Sequence, residues 1–199
     1  MAWVIGGKHF GQYTYEHWFD EEYSHAQEAK IMQKETITLF VNYNKSVNLL
    51  MNGLIANLSQ DEWDKALGGF FPSIHSLCSH LYIGDYTWLK RFSRLRLFTS
   101  LSNSYFENDY SFQETLFNDM SDYLIERPEL DKRMIAFADE ITEDDLAQNL
   151  KYIDSHGTAH ERNFGRCLLQ FVNHETHHRG MISLYLEMLG CPNDFSFLK

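Results

Sequence analysis

Residues 163–189 constrain this chain more than any other stretch. At about 100° per residue, Cys167, Phe171, His174, His178, Met181, Tyr185 and Leu189 fall on one stripe. Gly190 and Pro192 follow, a strong helix C-terminal signature. A helix of that length with a single apolar stripe is stable only when other helices cover the stripe. The chain must therefore supply partners of similar length.

Three more long helices are readable. The first is expected over residues 26–57. Ser59 and Glu62 have capping-box spacing and should open a short helix, stopped by Gly68-Gly69. Pro72 lies near the first turn of a second long helix reaching residue 96 or 98. A polar crossover spans residues 100–110, after which Ser111 and Glu114 repeat the capping-box spacing. They are expected to open a third helix that runs to residue 141 and is kinked or interrupted at Pro128. Thr142 with Asp145 marks another short capped turn, and residues 150–161 read as an irregular hairpin-like loop before the last helix. The fold class is all-α: a four-helix bundle with a long crossover and short accessory helices. Residues 1–25 have no clear period and are expected to form an arm or short leading helix on the body, leaving residues 26–199 as one domain.

A formal net charge of −11 argues against nucleic-acid binding, because phosphate recognition needs a basic face. It argues equally against an anionic membrane surface. The acidic clusters at residues 16–22 and 139–145 are expected to be solvated surface and helix first turns. Three cysteines without CxxC spacing do not make a disulfide framework and fit a reducing compartment. No apolar run approaches the roughly 20 residues that span a bilayer. The first residues lack a signal-peptide layout, so a cytoplasmic address is expected.

The chemistry is on the last helix. His174 and His178 are one turn apart in the middle of its apolar stripe, where two imidazoles reach a common ion. His177 lies at the stripe's edge and offers an alternative pairing with His174. Glu175 points away from the seam and is expected to be a solvated charge. Arg179 is also off the stripe, suited either to an ion pair or to the mouth of the site. On the second helix, Asp85 falls at the centre of a stripe running through Ile74, Leu77, Cys78, Leu81, Trp88 and Phe92. Periodicity alone favours Asp85 over His80, which lies on the flank, while His75 points elsewhere. A buried carboxylate beside imidazoles either ligates the ion or orients a ligand. Cys78 and Cys167 read as packing residues, and Tyr185 as a core tyrosine on the ligand face.

Two segments, residues 70–92 and 171–190, resemble the DinB/YfiT-like superfamily of metal-binding four-helix bundles. The specific part is H-x-x-x-x-D-x-x-W-L-x-R-F together with N-H-x-T-H-H-R-G, and residues 150–160 resemble the segment before the family's last helix. The resemblance implies one divalent ion, zinc or nickel first and iron next, on His80, His174 and His178. It makes Asp85 an outer or structural carboxylate, with Arg179, Tyr185 and His177 as substrate-site candidates. It also implies thiol-dependent S-transferase chemistry on a small thiol or electrophile, with a low-molecular-weight thiol as a candidate second cofactor. A metal-dependent hydrolase and a non-catalytic, stress-responsive metal-binding protein are the alternatives, and a homodimer through an outer helix face fits such bundles. Met181 stands where the family carries glutamine, which weakens any close transfer of substrate chemistry.

Overall fold

A computed structural model describes residues 4–5, 8–9, 33–102 and 104–198. The expectations for an N-terminal arm and for residues 26–32 fall almost wholly outside these. The exception is a short antiparallel pair, β1 (Val4–Ile5) and β2 (Lys8–His9). The long helices are α1 (Lys34–Ile55), α3 (Ile74–Phe92), α4 (Met120–Glu140) and α6 (Phe164–Met188). Short α2 (Gln60–Asp64) and α5 (Glu143–Leu146) each open on the capping box expected from their sequence. Strands β3 (Asn149–Ile153) and β4 (Ala159–Asn163) pair antiparallel from Asn149↔Asn163 to Ile153↔Ala159. The loop expected to be irregular is thus a regular hairpin, turned where Gly157 takes φ +83° and Asp154 Oδ1 accepts from the amides of His156 and Thr158.

Each long helix packs on two others: α1 on α4 and α6, α3 on α6 and α4. Contacts fix the directions. Phe92 near the end of α3 meets Phe164 and Phe171 near the start of α6, whereas Tyr185 near the end of α6 bonds to Gly68 and Phe71 just before α3. These two helices are antiparallel. Asp85 meets Arg127 and Phe92 stacks on Phe137, so α3 and α4 run parallel. Parallel neighbours cannot be joined by a tight turn, and residues 93–119 make the crossover.

Three boundaries differ from expectation. Gln33 is extended (φ −109°, ψ 152°), so α1 begins at Lys34 rather than at residue 26. α3 stops at Phe92 because Arg96 leaves the helix path to bond both carboxylate oxygens of Asp145 at 2.7 Å. Ser111 and Glu114 close only one turn, since Phe117 at φ +74° cannot continue a right-handed helix. Asp119 supplies the actual cap of α4, accepting from the amides of Ser121 and Asp122. Pro128 does not interrupt α4, which runs through it. The helix forgoes one backbone bond there and is held on either side by Arg127 and Asp131.

The core has two apolar clusters. One gathers Phe92, Phe98, Phe137, Phe164 and Phe171 at the hairpin end. The other gathers Met51, Ile55, Trp63, Leu77, Ile182 and Leu186 at the opposite end. Between them lies a buried polar layer containing Asn44, Asn48, Asp85, Arg127, Asp131, Glu175, His178 and Arg179. Phe92 is at the hub of the first cluster, against Trp88, Phe137, Phe164 and Phe171. Phe92→Ala is expected to lower unfolding free energy by about 3–5 kcal/mol in urea titrations, the usual result of emptying an aromatic site.

Candidate metal centre

His80 comes from the middle of α3, and His174 and His178 from successive turns of α6. One ring nitrogen from each lies within 4.8 Å of the other two, and no further His, Cys, Asp or Glu among the described residues joins that group. Nε2 of His80 is 3.2 Å from Nε2 of His174. Nitrogens bound tetrahedrally to one ion stand about 3.3 Å apart when each bond is about 2.0–2.1 Å. The pair therefore already has the spacing of two ligands on one cation.

Tautomer logic agrees. Nδ1 of His80 faces the carbonyl of Phe112 at 3.4 Å. A carbonyl only accepts, so the proton belongs on Nδ1 and the Nε2 lone pair points at His174. On the His174 ring, Nδ1 is buried without a hydrogen-bond partner. Either tautomer of His174 leaves a buried nitrogen unsatisfied or two lone pairs opposed, and a shared cation relieves the second arrangement. Burial, then the neighbouring imidazoles, push His174 down to about 3 and His178 down to about 2. Burial also lowers His80. All three rings are neutral near pH 7, the form that donates to a metal.

The surroundings hold this geometry. A Cβ on Gly84 would lie 2.8 Å from Cε1 of His174, so glycine at this position lets the ring rest directly on the α3 backbone. Phe71 packs 4.2 Å from the His80 ring centre and 5.5 Å from that of His178, and Phe112 flanks His80 at 6.0 Å. Tyr185 donates its hydroxyl to the carbonyls of Gly68 and Phe71. Its role here is to pin the segment that carries Phe71 onto α6.

The other sequence candidates are placed as follows. Asp85 is fully buried and turns to Arg127 at 2.5 Å, as a structural carboxylate. Arg127 also holds Asp131 at 2.5 Å, and Asn48 donates to Asp131 at 3.0 Å. Burial works against the Arg127 charge, but Asp131 and Asp85 outweigh it and keep the guanidinium ionised. Glu175, expected in solvent, is completely buried, 3.9 Å from Arg127 and 3.7 Å from Arg179. Burial and the nearby Asp85 push its carboxyl well above the usual range. Arg179 is likewise buried, with its guanidinium over the Tyr43 ring at 5.1 Å, so it belongs to the polar layer and not to the protein surface. His177 is exposed, its ring centre 4.9 Å from that of His178. His75, read as pointing elsewhere, is bonded to Asp64 at 2.7 Å and to the Leu116 carbonyl at 2.8 Å. Burial raises Cys78 to about 12 and Cys167 to about 11, so both thiols stay protonated and serve as packing. All three cysteines are free, and no described helix is long and apolar enough to cross a membrane.

The sequence profile of the DinB family matches residues 32–194. Protein DinB of Bacillus subtilis (strain 168) is 24% identical over 156 residues, covering 77% of this chain and 87% of that protein. The crystal structure of a DinB-like protein from Bacillus subtilis, YjoA, superposes with a TM-score of 0.55 at 16% identity, over 80% of this chain and 97% of that one.

Two predictions follow from the geometry. Gly84→Ala should favour helix α3 by about 1 kcal/mol while displacing His174. Circular dichroism should therefore show intact helix content, while affinity for cobalt(II) falls. The second concerns acid. In the unfolded chain histidine titrates near about 6.5, whereas the folded rings resist protonation until about 3 and about 2. Below about pH 6.5 the unfolded state thus binds protons that the native state does not, and stability falls as pH falls. Urea midpoints of metal-free protein between pH 7.5 and 5.5 should drop more steeply for wild type than for a His174→Gln/His178→Gln double variant.

Proposed function

Since this chain belongs to the DinB family, we propose that it holds one divalent ion on His80, His174 and His178 and acts as a metal-dependent thiol S-transferase. The observation that carries the metal reading is the convergence of three neutral imidazole nitrogens from two helices, two of them 3.2 Å apart. Zinc and nickel suit such a donor set, and iron follows. An ion with three protein nitrogens retains open coordination, so it can lower the pKa of a bound thiol or polarise an electrophile.

The chain's own residues do the rest. Phe112 sets the His80 tautomer through its carbonyl, and Gly84 gives His174 its seat. Phe71 and Phe112 wall the imidazoles with apolar surface, which limits water beside the donor atoms. Neither buried cysteine is a thiolate at neutral pH. The reacting sulfur is accordingly assigned to an external low-molecular-weight thiol, its partner being a small electrophile. The same charge and helix properties support a cytoplasmic protein without nucleic-acid or membrane partners.

The test begins with elemental analysis of protein purified without chelator. Wild type should carry about one divalent ion per chain, and His80→Ala, His174→Ala and His178→Ala should each lose it. Adding small thiols to cobalt-loaded wild type should then produce a thiolate-to-metal charge-transfer band. Metal without that band, together with turnover of activated esters, would favour a hydrolase. Metal with neither would favour a binding protein. No metal in wild type, with unchanged melting in chelator, would overturn the proposal.

A further inference from the structure

We infer that the substrate reaching the ion carries an uncharged aryl group beside its reacting atom, and that Phe70 is the residue that selects it. The inference rests on the metal and thiol reading above and names a substrate class for that same site. Residues 65–73 join α2 to α3 in a loop whose path is held along its length. The amide of Leu67 donates to the carbonyl of Pro72 at 2.7 Å, and the Tyr185 hydroxyl is bonded to the carbonyls of Gly68 and Phe71. Gly68 and Gly69 take φ +97° and +78°, in the left-handed region that glycine enters freely. A Cβ on Gly69 would also lie 2.6 Å from the Tyr185 hydroxyl oxygen, so no larger residue fits there.

A loop fixed in this way decides where its two phenylalanines go. Phe71 turns inward and is 9% exposed, whereas Phe70 remains 82% exposed. The Phe70 ring stands edge-on to Phe71 at 5.0 Å, and Phe71 lies 4.2 Å from His80 and 5.5 Å from His178. Rings thus run without a break from solvent to two of the three imidazoles. A single exposed apolar side chain needs no special explanation. Phe70 differs because the ring it packs on is the one that walls the metal centre.

The chemistry of the surroundings narrows the ligand. Residues 66–72 read ALGGFFP and residues 111–113 read SFQ, so both segments that bring an aromatic ring to His80 are uncharged. An ionised substituent placed against them would lose hydration without gaining an opposite charge from either. A flat aryl group gains apolar contact and ring-on-ring geometry from Phe70 instead. Phe70 is therefore a specificity-determining residue that touches the substrate away from the ion.

The experiment compares two uncharged thiols on the cobalt-loaded full chain, benzyl mercaptan and 2-mercaptoethanol. Dissociation constants are read from the thiolate-to-cobalt charge-transfer band. Wild type should prefer benzyl mercaptan by about tenfold or more. Phe70→Ala should lose about threefold to tenfold of that preference, the range for one aromatic pair, through weaker binding of benzyl mercaptan. Phe70→Tyr, which keeps the ring, should retain it. Because Phe70 is exposed, both variants should keep the visible cobalt bands of wild type. Equal affinity of wild type for the two thiols would overturn the inference, as would a preference that Phe70→Ala leaves intact. A loss in Phe70→Ala that comes with altered cobalt bands, or falls equally on both thiols, would overturn it too. The underlying reading fails separately: wild type that binds no cobalt, or gives no band with 2-mercaptoethanol, overturns that reading and this one with it.

Discussion

Arg127 is the point on which four helices agree. It is buried in α4, donates to Asp85 of α3, and reaches Asp131 one turn further along its own helix. Asn48 of α1 joins through Asp131, and Glu175 of α6 lies within ion-pair distance. A buried guanidinium tolerates few arrangements of its partners, so this layer sets the relative heights of the helices more strictly than apolar packing does. The height of α3 against α6 in turn decides whether His80 faces His174 and His178. The geometry of the three-histidine cluster thus depends on an ion network that lies outside the histidines themselves.

Most of the fold was legible because local signals spoke for themselves. The capping boxes at Ser59 and Thr142 open the helices they announce, and Gly190 at φ +84° follows the last helix. Ser111 carries the same spacing and opens none, since the left-handed Phe117 intervenes, and nothing in a serine–glutamate spacing reports on a residue three positions later. The last helix shows a subtler failure. Its buried arc runs through Phe171, Glu175, His178, Ile182 and Leu186, rotated from the stripe that hydrophobicity alone selects. Hydrophobicity assigns a glutamate to solvent. Its actual side is settled by arginines at positions 127 and 179, and the first of these belongs to another helix.

The site was legible in part. The pairing of His174 with His178 follows from spacing alone. His80 emerged only through family resemblance, because on its own helix Asp85 holds the more central position, and that position turns out to serve Arg127. Gly84 escaped notice altogether: a glycine within a helix looks like a weakness until the ring that rests on it is known. Phe71 and Phe112 lie outside the helices, where periodicity has no reach.

The order of elements along the chain has one more consequence. Helix α6 is the last element of the chain, and it contributes to both apolar clusters as well as two of the three clustered imidazoles. A truncation that removed α6 would take away His174 and His178 together with its share of both clusters. Closing the bundle and bringing the three imidazoles together therefore depend on the docking of the same helix.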